Sequence, residues 1–253
     1  ALLPDFLETP WTIGVVDTEN RDELARKLVD ADAMISMNWP QNMPPAPQLK
    51  LLQLPGAGTD DIDFDSVPAQ AAVCNVYEHE IGIAEYILCA MLQWEIPIPR
   101  MDAALRHGHW YGSHLSGPRH GELFGKTVGI VGYGRIGREV ARRARTFGMN
   151  VLACSRTPRG TDEYVERVNG MDNLPALLSA SDFVVLGLPL EPSPAGLIGA
   201  AQFAQMKSTA VIINVARGAL IEEQALFEAC RDKRIGGAVI DTWYRYPKQG
   251  EAF

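Results

Sequence analysis

Residues 128–156 constrain this chain more than any other stretch. They read Val128-Gly-Ile-Val-Gly-Tyr-Gly-Arg-Ile-Gly137, then a run with helical spacing, then Val151-Leu-Ala-Cys-Ser-Arg156. A short apolar strand therefore runs into Gly132-x-Gly134-x-x-Gly137. Gly132 permits a tight turn, Gly134 lets a pyrophosphate approach the main chain, and Gly137 lets the following helix pack close to the strand. Arg135 and Ile136 lead into that helix. It offers free N–H groups and the positive end of its dipole to an anion. Ile136, Val140, Ala144 and Phe147 share one face, with Arg142, Arg143 and Arg145 elsewhere. Gly148 is a natural stop. A second strand at 151–154 completes a strand–turn–helix–strand unit, and the unit predicts a bound dinucleotide.

The end of the second strand bears on which dinucleotide. An acidic residue about 20 positions after the glycines usually receives the ribose hydroxyls of NAD. Here that place holds Ser155, followed by Arg156, with Arg159 nearby. No carboxylate repels a 2′-phosphate there, and a guanidinium stands ready to pair with one. NADP is favoured, and NAD is possible.

Five apolar runs follow one another from residue 128 onward: 128–131, 151–154, 183–188, 210–215 and 237–240. Near-continuous apolar strands belong to a parallel sheet covered on both faces. Helix candidates at 173–180, 199–206 and 221–232 lie between them. The expected fold is α/β, a doubly wound parallel sheet of Rossmann type, spanning residues 80–253 with a long apolar helix at 81–93 that links it to what precedes. Residues 1–79 read as a smaller, separate α/β unit. Trp11–Val16, Ala33–Ser36 and Leu51–Leu54 are its expected strands, and Asn20 caps a helix through Asp30 with Leu24, Ala25 and Leu28 inward. Pro40 to Pro47 read as a surface loop.

Composition excludes more than it identifies. A net charge of −8 on 253 residues argues against nucleic acid as a partner. Cys74, Cys89, Cys154 and Cys230 are widely spaced inside apolar runs, with no CxxC pair, so no metal site is expected and buried free thiols are the simpler reading. Without a signal peptide, a glycosylation sequon or a long uncharged apolar span, a cytoplasmic protein with no membrane contact is expected.

Several blocks in order resemble the D-isomer-specific 2-hydroxyacid dehydrogenases, the family that includes glyoxylate/hydroxypyruvate reductases and phosphoglycerate dehydrogenases. They are Leu54-Pro-Gly-Ala-Gly-Thr-Asp-Asp-Ile-Asp63, Ile83-Ala-Glu85, Gly121 to Gly129, the glycine turn, Ser181 to Leu190, Met206-Lys207, Ile213-Asn-Val-Ala-Arg-Gly218 and Ala238-Val-Ile-Asp241. The resemblance implies a flavodoxin-like substrate domain at 1–79, incomplete here, a coenzyme domain at 80–253, and an active site in the cleft between them. It implies hydride transfer between a nicotinamide and a small 2-oxo or 2-hydroxy acid, and a homodimer with residues 96–120 near the contact.

Specific residues follow. Arg217 lies just past the carboxyl end of a sheet strand, where open α/β sheets bind ligands. A guanidinium grips a carboxylate through two parallel hydrogen bonds, and it would also polarise the adjacent carbonyl. The resemblance makes Asp241 the acceptor for the nicotinamide carboxamide. It brings Leu188, Pro189, Val215 and Ala216 to the coenzyme, and the backbone at Ala57 and Gly58 to the substrate carboxylate, as in other anion nests. Glu85 and Asp63 read as packing residues.

Two departures from the family's pattern stand out. Its general acid is a histidine near the C-terminus, which would lie downstream of residue 253. His79, His107, His109, His114 and His120 all precede the glycine turn, and four of them read as surface residues. The glutamate that orients that histidine is replaced: the segment reads Asp241-Thr-Trp-Tyr-Arg-Tyr-Pro247, with Tyr246 before the proline. A phenol can hydrogen-bond an imidazole but does not orient it as a carboxylate does. The strand at Trp11 also starts close to the chain's beginning. A fragment of a longer polypeptide is therefore expected.

The leading expectation is an NADP-dependent 2-oxoacid reductase of the glyoxylate or hydroxypyruvate type. Phosphoglycerate ranks lower, because residues 51–79 hold no lysine or arginine. The alternatives are a dinucleotide-sensing, co-repressor-like binding protein and, ranked below it, a formate-dehydrogenase-like enzyme.

Overall fold

The computed structural model of the protein describes residues 7–17, 20–110, 119–188 and 195–247. Pro189 and His114 lie outside the described residues. The chain divides into two compact units, residues 1–77 and 78–253.

The first unit is built on three short parallel strands in chain order: β1 (Ala33–Ile35), β2 (Leu51–Gln53) and β3 (Ala72–Cys74). Leu52 pairs with Met34 on one side and Val73 on the other. Helix α1 (Arg21–Leu28) precedes them, with the Glu23 N–H donating to Asn20 Oδ1 at 3.2 Å. As expected of its spacing, α1 buries Leu24 and Leu28, here against Trp39, Leu49, Leu52 and Leu54; Ala25 is only half-buried. The expected strand at Trp11–Val16 does not form. Its alternation is apolar, but Val15 is 92 % exposed and the run pairs with no strand among the described residues. A strand exists only through its partner's ladder, so a suitable pattern without a neighbouring edge stays unpaired. β3 was not foreseen.

The second unit opens with α2 (Glu80–Glu95) and α3 (Ile98–Arg106), then alternates: β4 (Thr127–Val131), α4 (Arg135–Thr146), β5 (Asn150–Cys154), β6 (Val168–Asn169), α5 (Leu174–Ala180), β7 (Phe183–Leu186), α6 (Ala200–Phe203), β8 (Val211–Asn214), α7 (Glu223–Arg231) and β9 (Gly237–Ile240). The sheet runs β6-β5-β4-β7-β8-β9, every pair parallel. The chain starts mid-sheet, winds one way to β6, and returns through β7 to wind the other way. β4 and β7 therefore flank the point where the winding reverses.

The apolar runs are continuous because both faces are covered. Phe183 and Val185 point into a core with Ile130, Val140, Ala144 and the α2 residues Ala84, Ile87 and Met91. Val184 and Leu186 point into the opposite core with Leu177, Leu178, Ile212, Phe203 and Ala229. Burying each such side chain contributes about 1.5–3 kcal/mol.

Three readings need correction. Phe147 is not on the buried face of α4; it caps the helix and is 42 % exposed. Gly137, Val140, Ala141 and Ala144 make that face. Of the cysteines only Cys154 is buried, its thiol pushed up to about 12 by burial, while Cys74, Cys89 and Cys230 are exposed. The helix expected at 199–206 is a single turn.

Asp182 ties the sheet's edge of entry together. Its carboxylate accepts from the Thr127 N–H and from Lys207 Nζ, both at 2.8 Å. Burial alone would raise its pKa, but the Lys207 and Thr127 donors outweigh it and hold the carboxyl below its ordinary value. A depressed folded value means that the stabilisation is present above the unfolded carboxyl value near 4 and is lost as pH falls through the folded one. Asp182→Asn is expected to cost about 1–3 kcal/mol at pH 7. In thermal melts from pH 7 to pH 3, its deficit against wild type should shrink below about pH 4.

Candidate functional site

Five strand ends of the second unit stand in one row. Val131 pairs with Cys154 and Leu186, Leu186 with Asn214, and Asn214 with Ile240. The next residues, Gly132, Ser155, Gly187, Val215 and Asp241, therefore leave the sheet side by side at its carboxyl edge. Most residues singled out in the sequence lie on this edge.

Gly132 turns there at φ +101°, and a side chain would put its Cβ 2.7 Å from the backbone of Gly187 and Leu188. Leu188 is itself buried against this turn. At Gly137 a Cβ would strike the Gly132 carbonyl oxygen, so the helix can pack this close only as glycine. Gly134 is different. Its φ is −92°, open to any residue, and nothing lies within 4 Å of where its Cβ would be. The fold does not need glycine at 134; a group lying on the main chain there would. The first backbone bond of α4 runs from the Arg138 N–H to the Gly134 carbonyl, so the N–H groups of Ile136 and Gly137 ahead of it make no bond within the helix. These residues fit a dinucleotide's pyrophosphate. Ile136 is half-buried against the core, and Arg135 is 3.6 Å from Glu80 across to α2.

At the end of β5, Ser155 Oγ donates to the Thr157 carbonyl at 2.6 Å, and its N–H donates to Asn169. Arg156 and Arg159 are exposed beyond it. The next carboxylate, Asp162, is engaged by the Tyr133 hydroxyl and by Arg138.

Beyond β8, Val215 and Ala216 are buried and Arg217 is half-buried. Arg217 Nη1 donates to the Ala216 carbonyl at 2.8 Å. The loop is held by Asn214, which sequence reasoning missed. Its side chain is 1 % exposed, accepts from the Ala216 N–H at 3.1 Å and donates to the Arg217 carbonyl at 2.9 Å. A polar residue inside the run 210–215 was the available signal. Gly218 lets the chain after β9 cross directly over it; a Cβ would be 2.6 Å from the Trp243 backbone.

Asp241 is exposed, its N–H donating to the Asn214 carbonyl at 3.0 Å. Burial, then the charge of Asp241, push the Tyr86 phenol of α2 above its ordinary value. Next to Asp241, Thr242 Oγ1 is buried with no hydrogen-bond partner among the described residues. Tyr246 is 60 % exposed, and its oxygen accepts from the Trp243 N–H at 3.1 Å.

Ala57 and Gly58 belong to the first unit. They are half-buried in the turn after β2, where Asn75 Nδ2 donates to the Ala57 carbonyl at 2.9 Å. Glu85 lies on α2, 3.6 Å from Arg143 of α4, and the Asp63 N–H donates to the Trp39 carbonyl. No described cluster of His, Cys, Asp and Glu is placed to hold a metal ion, and no single described helix is long and apolar enough to cross a membrane.

Comparison with known proteins bears directly on this edge. Residues 88–252 match the family model described as D-isomer specific 2-hydroxyacid dehydrogenase, NAD binding domain. The chain is 33 % identical to a D-3-phosphoglycerate dehydrogenase of Methanocaldococcus jannaschii, over 96 % of this chain and 47 % of that one. It is 32 % identical to a glycerate dehydrogenase of Methylorubrum extorquens, over 95 % of this chain and 74 % of that one. Among solved structures, the glyoxylate reductase from Paecilomyes thermophila superposes with a TM-score of 0.71 at 29 % identity, covering 90 % of this chain and 73 % of that one. The chain spans about half the length of the phosphoglycerate dehydrogenases it matches.

Proposed function

The chain belongs to the D-isomer specific 2-hydroxyacid dehydrogenase family, and from that premise we propose that it transfers hydride between NADP(H) and a small 2-oxo or 2-hydroxy acid of the glyoxylate or hydroxypyruvate type. The observation that carries this reading is the row of strand ends. It holds the open approach at Gly134 and the Arg217 loop two strand spacings apart, about 10 Å.

When bound, the nicotinamide supplies or accepts the hydride. The rest falls to the chain's own groups. The N–H groups at the start of α4 hold the pyrophosphate, and Gly132, Ile136, Leu188, Val215 and Ala216 shape the backbone and apolar walls of the coenzyme site. Ser155 and Arg156 meet the ribose, with the guanidinium pairing the 2′-phosphate. Asp241 accepts from the carboxamide and so selects the ring face. Arg217 grips the substrate carboxylate and stabilises the negative charge that grows on the neighbouring carbonyl oxygen. The N–H groups of the turn at Ala57 and Gly58, on the first unit, suit a carboxylate. Tyr246 stands where the family's orienting glutamate stands. Its oxygen already accepts from Trp243, which leaves its proton to donate to an imidazole. Ile98 (61 % exposed) and Leu105 (55 % exposed) on α3 supply an apolar face for a homodimer.

The relatives favour one second reading, a phosphorylated hydroxyacid as substrate. Against it stands the absence of lysine and arginine from 51–79.

Titration with NADPH and NADH, followed by tryptophan fluorescence and then by absorbance with glyoxylate, hydroxypyruvate and 3-phosphohydroxypyruvate, tests the reading. Saturable NADPH binding at least about tenfold tighter than NADH is expected, since one charge-assisted pair contributes about 1.5–3 kcal/mol. Oxidation with either unphosphorylated acid is expected as well. Turnover with the phosphorylated acid alone moves the assignment to that substrate. Binding without turnover by the polypeptide its gene encodes moves it to a sensor, and no binding sinks the proposal.

A further inference from the structure

Tyr133 lies inside the glycine turn and none of the roles above uses it. Its ring is 4 % exposed, and its hydroxyl donates to Asp162 Oδ1 at 3.0 Å. Asp162 sits on the excursion between β5 and β6. That excursion closes where Arg159 and Val168 exchange both backbone hydrogen bonds, at 3.0 and 3.3 Å. Val165, near its tip, is buried in the same core as Val140 and Ala144. Asp162 also accepts from the Tyr164 N–H at 3.0 Å and faces Arg138 Nε of α4 at 3.3 Å, while the Arg138 guanidinium lies over the Tyr164 ring at 5.5 Å. One carboxylate thus gathers donors from the phosphate-binding turn, from the helix behind it and from its own excursion. Burial, with Asp162 alongside, raises the Tyr133 phenol far above its ordinary value, so it remains a donor at any working pH.

We propose that the Tyr133–Asp162 strap determines coenzyme specificity: it holds the excursion bearing Arg156 and Arg159 at a set distance from the glycine turn, so that a dinucleotide with a 2′-phosphate meets turn and guanidinium together. The inference rests on the NADP reading above. The strap acts in two ways. It prepays the ordering of a loop that binding would otherwise have to order. It also keeps the Asp162 carboxylate engaged; released, that charge would repel the 2′-phosphate. Both effects weigh on NADPH and barely on NADH, which lacks that group. Tyr133 is in this sense a positioning residue.

Dissociation constants for NADPH and NADH, measured by fluorescence in wild type, Tyr133→Phe and Asp162→Ala, test the strap. Tyr133→Phe is expected to raise the NADPH constant roughly tenfold and the NADH constant less than about twofold. Asp162→Ala should also lower the preference, and Asp162→Asn, which keeps an acceptor for Tyr133, should recover part of it. A purely structural role would weaken both coenzymes alike and leave their ratio unchanged. If wild type prefers NADPH and the variants keep that ratio, the strap is overturned alone. If wild type shows no preference, the NADP reading falls and the strap with it. Should Tyr133→Phe fail to fold, the Asp162→Asn and Asp162→Ala ratios decide the question.

Discussion

Gly134→Ala is expected to impair coenzyme binding with little loss of stability, whereas Gly132→Ala is expected to cost stability heavily. The two positions are two residues apart in one turn, yet their surroundings oppose each other. At 132 the backbone is left-handed and the Gly187–Leu188 chain stands where a Cβ would go. Strain in that conformation adds to overpacking against main chain that cannot swing aside, about 2–5 kcal/mol together. For a chain of this size that lowers the melting temperature by roughly 10 °C. At 134 the backbone suits any residue and the space is open, so alanine costs less than about 1 kcal/mol, mostly as a poorer helix cap. The methyl would stand where the pyrophosphate approaches, and a rise of at least about tenfold in the NADPH dissociation constant follows, or about 1.4 kcal/mol. Thermal melts and fluorescence titration of both variants check this. A Gly134→Ala protein that binds coenzyme like wild type would remove the phosphate site from this turn.

Arg217→Ala should leave coenzyme binding within about twofold and lower kcat/KM for the 2-oxo acid by about 10²–10⁴-fold. The estimate converts the 3–5 kcal/mol typical of removing one partner from a buried charge pair. Arg217→Lys should recover only part of the loss, because an ammonium cannot form the paired, coplanar bonds that a guanidinium makes to a carboxylate. Asn214 matters here too. It bonds both the Ala216 N–H and the Arg217 carbonyl, so it holds the loop from which the guanidinium extends. The experiment is steady-state kinetics at saturating NADPH on the polypeptide its gene encodes. Turnover undiminished in Arg217→Ala would assign the carboxylate grip to another group.

Arg217 could be singled out from sequence because it follows the apolar run 210–215 by a short step, and a strand's end in an open sheet is a ligand position wherever the strand lies. Asn214, one residue inside that run, looked like a blemish in the pattern; its two bonds exist only once the loop folds back on it. Thr242 is likewise unremarkable in sequence and becomes notable through its buried hydroxyl, beside Asp241 and with no hydrogen-bond partner among the described residues.

What the amino-acid order determined by itself is local and periodic: the glycine turn, the helix after it, and the five apolar runs that became β4, β5, β7, β8 and β9. Each is written within a few consecutive residues, where steric freedom at glycine and the spacing of apolar side chains leave little choice. Tertiary structure alone decided the rest. Trp11–Val16 carries a strand's pattern yet finds no partner among the described residues, while β3 and β6 form from two or three residues with no periodic signal, because a sheet edge was there to receive them. The Tyr133–Asp162 bond joins groups 29 residues apart. Pairing, burial and the engagement of a carboxylate are properties of distance in space, and distance along the chain does not encode them.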